Sequence, residues 1–299
     1  MDRRDFLISS AAGLTGLALD QPNAPLQTSG IPSTGERIPR LGLGTWQVFD
    51  VGNDAARRAG LAETLRVFTQ GGGRVVDSSP MYGTSETVLG DLARDGALLE
   101  TLWMATKVWT SGEGAGVRQM ESSILKLRTD HLELMQVHNL LDWQVHLRTL
   151  RQWKERGRVK YIGITHYNQG AFDAVERVIR SETLDFVQLN LSLDEPESAA
   201  RLLSLCADRG VAFLANRPFG GGGALSRVRS KPLPAWAADH GIASWAQYML
   251  TWVLSHEPVT CAIPGTSNPR HMADNLGAAR GQPIEKKVRD RLAAHWRSL

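Results

Sequence analysis

Four side chains able to do proton chemistry fall at or just beyond the ends of short apolar runs. Asp77 closes residues 74–77, Lys107 closes 102–107, His138 closes 134–138, and Tyr82 follows Asp77 by five residues. Together a carboxylate, an ammonium, an imidazole and a phenol make a proton-donating centre. Asp77 can hold Lys107 as an ion pair, and Lys107, kept charged, stabilises the phenolate of Tyr82. That charge is expected to lower the phenol from its ordinary pKa of about 10 toward the working range. Tyr82 then serves as general acid. His138 is expected to hydrogen-bond a carbonyl oxygen, orienting the substrate and stabilising the charge that develops there. The set has neither the ligand types nor the softness that zinc requires, so no metal is expected and a hydride must come from a cofactor. Taken singly, each residue has a plainer role: Asp77 a turn, Lys107 a snorkelling rim cation, His138 a core histidine, Tyr82 a packing ring. Convergence on one site favours chemistry, because unpaired polar groups in a partly buried mouth are costly unless pairing or function compensates.

These residues must be positioned by an alternating framework. Apolar runs at 42–46, 74–77, 102–107, 134–138, 160–165, 186–190, 211–215 and 260–264 read as strands. Between and after them, segments 55–70, 85–93, 116–127, 143–155, 171–180, 197–209, 244–255 and 269–278 carry apolar residues at spacings of three and four and read as helices. Strand starts recur every 25 to 32 residues through the seventh, the length of one βα unit. The pattern predicts an α/β protein of the (β/α)8 TIM-barrel class. Its competitor is an open doubly wound sheet, which the lack of a G-x-G-x-x-G after the first strand disfavours. In such a barrel the carboxyl ends of the strands carry the chemistry. The long gap before the last strand holds Phe219 followed by Gly220, Gly221, Gly222 and Gly223, suited to wrap an extended ligand. Residues 283–296 read as an added terminal helix, and 37–299 as the barrel with that helix.

The 299 residues hold 34 Lys plus Arg against 31 Asp plus Glu, a net +3. This charge is too small and too evenly spread for a nucleic-acid surface. Cys206 and Cys261 lack the spacing of a metal site or a disulfide framework, and no apolar run reaches the length of a membrane span. Residues 1–20 read as an export signal: Arg3-Arg4 before Asp5-Phe6-Leu7, a weakly apolar core, and small residues up to Ala18. The motif resembles the twin-arginine signal of bacterial precursors, which implies the Tat export machinery as partner and a periplasmic or exported location. Such cargo crosses folded, typically with a cofactor already in place. Residues 21–36, rich in Pro, Gly, Ser and Thr, read as a linker.

Beyond the four residues, V-V-D-S-S-P-M-Y-G, A-T-K-V-W, Q-V-H-N and I-P-G-T-S-N-P resemble, in order, the motifs of the aldo-keto reductases, over residues 41–275. The resemblance implies a (β/α)8 barrel that uses NAD(P)H to reduce an aldehyde or ketone, with Asp77, Tyr82, Lys107 and His138 as its catalytic tetrad. It implies nicotinamide contacts at Gln188 and Thr165, with His166 standing where an asparagine is usual. Past the seventh strand an aromatic ring is common, but this chain has Asn216 and Arg217, then Phe219, as its cofactor-side positions; Gly220, Gly221 and Gly222 suit the pyrophosphate. Thr266 and Asn275 match contacts to the adenosine phosphate and adenine. Gly265 replaces a lysine and His271 an arginine used against the 2′-phosphate, while Arg270 and Asp274 are retained nearby, so NADP(H) is favoured over NAD(H) on charge grounds. Trp46 and Trp109 resemble aromatic walls of the substrate pocket, implying a small-molecule carbonyl substrate with apolar or planar parts. Two alternatives stay open: a nucleotide-binding sensor or partner subunit with little turnover, and a cofactor-free isomerase or lyase using Lys107 as a Schiff base.

Overall fold

The computed structural model describes residues 24–299. The export signal lies outside the described residues. In chain order the elements are β1 (Thr28–Gly30), β2 (Arg37–Pro39), β3 (Leu43–Gly44), α1 (Ala55–Gln70), β4 (Val75–Asp77), α2 (Ser85–Asp95), β5 (Trp103–Val108), α3 (Glu113–Leu127), β6 (Leu132–His138) and α4 (Trp143–Glu155). There follow β7 (Val159–His166), α5 (Phe172–Ser181), β8 (Phe186–Asn190), α6 (Glu197–Asp208), β9 (Ala212–Asn216), α7 (Gly223–Val228), α8 (Trp245–Leu254), β10 (Val259–Ala262), α9 (Pro269–Gly277) and α10 (Lys286–Arg297). Strands β3 to β10 form one parallel sheet in sequential order. Its ends meet through bridges Leu41–Ala262 and Gly44–Gly265, with the Gly42 amide donating to the Ala262 carbonyl at 2.8 Å. The expected (β/α)8 barrel is therefore observed. The seam is tight: a Cβ at Gly44 would lie 2.8 Å from the Ile263 carbonyl oxygen, which only glycine avoids.

A two-residue alternation along each strand decides what faces the barrel interior. Val75, Trp103, Ala105, Leu134, Tyr161, Phe186, Leu214 and Cys261 pack together inside, while Val76, Met104, Met135, Ile162 and Val187 pack outward under the helices. Carried toward the carboxyl ends, the same inward parity reaches Asp77, Lys107, Gln136, His138, Thr165, Gln188 and Asn216. The interior is thus apolar below and polar above, and the polar layer forms the floor of the mouth.

The second half of the segment read as a linker is folded. Strands β1 and β2 pair antiparallel, Thr28 opposite Pro39 and Gly30 opposite Arg37. The turn between them uses Gly35 at φ 76°, a left-handed conformation that glycine adopts at little cost. Ile31 and Ile38 join the interior cluster, and the Tyr161 hydroxyl lies 2.7 Å from Thr34 Oγ1 and donates to Glu36 at 2.6 Å. The hairpin plugs the amino end of the barrel. A Pro, Gly, Ser and Thr composition hid this role, because the two buried isoleucines are too few to register as a pattern.

Candidate active site

The polar floor is built around one ion pair. Lys107 Nζ donates to Asp77 Oδ2 and to the Ser78 carbonyl, each at 2.6 Å, and both side chains are buried. Register explains the meeting: Asp77 pairs with Ala105 across β4 and β5, so the next inward residue of β5 is Lys107. Burial works against the ammonium, but the Asp77 carboxylate, with Tyr82 beside it, holds the Lys107 pKa above the ordinary lysine value. The second oxygen of Asp77 accepts from Gln188 Nε2 at 2.8 Å and from Gln136 Nε2 at 3.3 Å. The carboxylate is therefore held from both sides and fixed in direction.

Tyr82 stands over this pair, its ring centroid 5.0 Å from Lys107 Nζ. Its pKa moves opposite to the sequence-based expectation. Burial raises it, Lys107 pulls it back and Asp77 pushes it up again, leaving the phenol above its ordinary value. Lys107 cannot win here because its charge is largely matched by Asp77, so desolvation of the phenolate decides. The Tyr82 ring meets the His138 ring edge-on, with centroids 5.9 Å apart. Burial, then the Lys107 charge and His166, lower the His138 pKa to about 2, so the imidazole is neutral. Its Nδ1 lies 3.0 Å from Ser79 Oγ, whose oxygen accepts from the Met81 amide at 3.3 Å. With the serine oxygen already accepting, its proton points at Nδ1. That assignment leaves Nε2 as the protonated nitrogen, a donor. Ser79, which the sequence did not single out, thus fixes the tautomer.

Above this floor opens a cavity of about 580 Å³. Asp77, Tyr82, His138, Thr165, Gln188 and Trp46 line it, as do Asn216, Arg217, Phe219, Gly221, Gly222 and Gly265. Three lining residues that are not glycine, Gln47, Asn139 and Arg217, hold left-handed backbone at φ 62°, 54° and 50°, a strained state that clusters at ligand sites. The Oδ1 atoms of Asn139 and Asn216 are buried without a hydrogen-bond partner.

The Aldo/keto reductase family profile matches residues 40–297. The chain belongs to the aldo/keto reductase family. It is thereby an NAD(P)H-dependent oxidoreductase. Methylglyoxal reductase YeaE of Escherichia coli is 24% identical over 246 residues, covering 80% of this chain and 84% of that protein. An aldo-keto reductase of Mycobacterium sp. strain JLS is 27% identical over 257 residues, covering 81% and 84%. The crystal structure of an aldo-keto reductase from Klebsiella pneumoniae in complex with NADPH superposes with a TM-score of 0.75 at 24% identity, covering 91% of this chain and 95% of that one.

Within the family frame the remaining expected positions divide. Gln188 lines the cavity, but its Nε2 is engaged by Asp77 and its Oε1 accepts from Thr165 Oγ1 at 3.1 Å and Asn216 Nδ2 at 3.4 Å. His166 is not in the lining: parity turns it away from the interior, and its Nδ1 accepts from the Asn168 amide at 3.0 Å. Tyr167 takes the place at the rim, a position with the parity of Thr165 that the sequence reading overlooked. Trp46 lines the cavity, whereas Trp109 stands outside the lining, its backbone amide bonded to Gln119 Oε1 at 2.5 Å.

Gly265 lines the cavity, whereas the other adenosine-side positions lie around α9, outside the lining. Thr266 and Asn275 are buried. Thr266 Oγ1 accepts from the Asn268 amide at 3.1 Å, and Asn268 caps α9. The Asp274 carboxylate is turned to α8, accepting from Ser244 Oγ at 2.6 Å and Gln247 Nε2 at 2.9 Å. Arg270 is exposed in the first turn of α9.

The residues fit a nicotinamide dinucleotide. The unpartnered oxygens of Asn139 and Asn216 can accept amide hydrogens. Gly220, Gly221 and Gly222 run at φ 57°, 68° and 97°, and a Cβ at Gly222 or Gly223 would meet nothing within 4 Å. That stretch is an open backbone cradle of the kind pyrophosphate uses.

Proposed function

We propose that this chain is an exported carbonyl reductase in which Tyr82 protonates the carbonyl oxygen of an aldehyde or ketone. The observation that carries this reading is the buried Asp77–Lys107 pair beneath the Tyr82 ring, with a neutral imidazole beside it. Asn216, Asn139 and Gly220 to Gly222 would hold the dinucleotide, which supplies a hydride to the carbonyl carbon when bound. His138 donates Nε2–H to the carbonyl oxygen and sets its direction. Tyr82 transfers its hydroxyl proton to that oxygen as negative charge builds there, and Lys107 stabilises the phenolate left behind. Asp77, held by Gln188 and Gln136, keeps Lys107 charged and aimed. Solvent at the mouth returns the proton to Tyr82. The raised phenol pKa suits this order, since the developing alkoxide is a far stronger base than phenolate. NADP(H) is favoured over NAD(H) by the exposed Arg270 at the start of α9, where helix amides also favour anions.

A Schiff-base role for Lys107 does not suit the geometry. Its amine is charged, buried and fully engaged, so it has no lone pair to attack a carbonyl. Turnover of aldehydes with NADPH or NADH, followed at 340 nm, tests the main reading. Tyr82→Phe is expected to lower kcat by at least about a hundredfold with little change in NADPH affinity. Unchanged turnover refutes Tyr82 as the acid, and tight NADPH binding without turnover of any carbonyl compound supports the sensor alternative. Export is a separate element, supported by Arg3-Arg4. Their replacement by Lys-Lys is expected to leave the protein in the cytoplasmic fraction, and continued export disproves the Tat route.

A further inference from the structure

Among the described residues that line the cavity, Arg217 is the one positive side chain, and the only acid, Asp77, is matched by Lys107. Arg217 leaves the end of β9 in a left-handed conformation at φ 50°. Its guanidinium carbon lies 5.8 Å from the ring centroid of Trp46 and 5.8 Å from that of Tyr167. Those rings follow β3 and β7, each two strands away from β9 on opposite sides, so the side chain reaches out over the mouth between them. Gly221 makes room for it: a Cβ there would stand 2.9 Å from Nη2. Among the described residues its Nε is buried without a hydrogen-bond partner. A guanidinium with a buried, unmet donor is destabilising unless something completes it.

The rim around it is apolar. Of the five large apolar side chains exposed among the described residues, Trp46, Met81, Trp109 and Tyr167 all follow the carboxyl ends of barrel strands. The site therefore offers proton chemistry at its floor, flat apolar walls at its rim, and an unmatched planar cation across its opening. We infer that the preferred substrate is an aromatic or similarly flat carbonyl compound carrying a carboxylate, the carboxylate being gripped by Arg217. The carbonyl enters first, toward His138 and Tyr82, the body lies against Trp46 and Tyr167, and the carboxylate meets the guanidinium fork, whose spacing matches two carboxylate oxygens. This inference rests on the carbonyl-reductase reading.

The test compares 4-formylbenzoate with its methyl ester on the full-length enzyme with NADPH. The acid is expected to be favoured by at least about tenfold in kcat/KM, chiefly through KM, as one charge-assisted fork would give. Arg217→Met should bring the acid-to-ester ratio close to one, and Arg217→Lys should recover part of it. In parallel, tryptophan fluorescence follows binding of terephthalate and of dimethyl terephthalate to the NADP+-loaded protein, with the acid expected to bind more tightly only while Arg217 is present. Acid–ester parity in the parent enzyme overturns the inference and leaves the reductase reading standing. Equal losses of NADPH affinity and of acid turnover in Arg217→Met also overturn it, assigning Arg217 to the coenzyme. If neither of these aldehydes is reduced while other aldehydes are, the inference is overturned and the reductase reading stands; if no aldehyde is reduced the reductase reading fails, while terephthalate binding that depends on Arg217 still supports the anion site.

Discussion

Asp77→Asn isolates what the buried pair does. The substitution keeps shape but removes the counter-ion of a fully buried ammonium that also donates to the Ser78 carbonyl and lies beside Tyr82. Removing one partner of such a pair typically costs about 3–5 kcal/mol. An independent bound agrees: the ammonium can escape by losing its proton, which at pH 7 costs about 4.6 kcal/mol for a lysine that titrates near 10.4 when unfolded. For a chain of this size the expected loss in Tm is about 5–8 °C. The sign with pH follows from the shifts. In the parent the Lys107 pKa is raised, so its contribution is fully present below the unfolded lysine value and fades as pH rises through the folded one. In the variant it is depressed, and its penalty is present below the unfolded value and vanishes above it. The gap between parent and variant, read by chemical denaturation, is therefore wide at pH 7, narrows steadily as pH rises toward the unfolded lysine value, and narrows further through the raised folded value of the parent. The double variant Asp77→Asn, Lys107→Met removes the stranded charge and should be more stable than Asp77→Asn alone, yet as poor a catalyst. A gap that stays flat with pH, or a double variant no more stable than the single one, refutes the buried pair as drawn.

Two further predictions concern the neighbourhood of the site. Ser79→Ala removes the hydroxyl that fixes His138, and kcat/KM should fall by about fivefold to tenfold, the worth of one hydrogen bond. Nitrogen NMR should show Nε2–H in the parent and both tautomers in the variant, and Nδ1–H in the parent would contradict the assignment. Glu86, buried with Oε1 accepting from Thr106 Oγ1 at 2.6 Å and Oε2 4.0 Å from Lys126 Nζ, has its pKa raised by burial despite the Thr106, Ser123 and Lys126 contacts. A raised folded pKa means stability is lost as pH rises from the unfolded glutamate value through the folded one. Glu86→Gln should thus match the parent near pH 4 and exceed it by about 1–3 kcal/mol at pH 8, read from denaturant midpoints; a variant that loses ground as pH rises refutes this.

The barrel was legible because each of its eight strands is an apolar run of its own and the helices between them carry a helical period. The four residues that meet at the floor of the mouth were legible because polar groups ending such runs have few structural reasons to be there. What stayed hidden obeys a rule that the runs contain but do not announce. Inward parity through Tyr161, Gly163 and Thr165 sends His166 outward and Tyr167 to the mouth, so the position inferred from resemblance was one residue off the functional face. Asp274 kept its expected type but turned to Ser244 and Gln247 on α8, a long-range choice invisible in local sequence. The hairpin plug and Ser79 escaped for a similar reason, since each depends on a partner far away along the chain: Tyr161 for the hairpin, His138 for the serine.

The Tyr82 pKa joins the stability and the chemistry of this site. A unit charge 5.0 Å from the ring centroid is worth about 3 kcal/mol to a charge at that separation at an effective dielectric constant near 20, and less than about 1 in water. The burial that lifts the phenol above its ordinary value is therefore also what lets Lys107 count when the phenolate forms. An exposed tyrosine would have the lower resting pKa and gain little from its lysine. On the proposed reading a buried one stays protonated through the neutral range and draws on the ammonium only as its proton leaves, so the stabilisation would fall on the transition state and not on the resting enzyme. On this account Lys107→Met should slow proton transfer by about two orders of magnitude while leaving the resting protonation of Tyr82 unchanged at neutral pH.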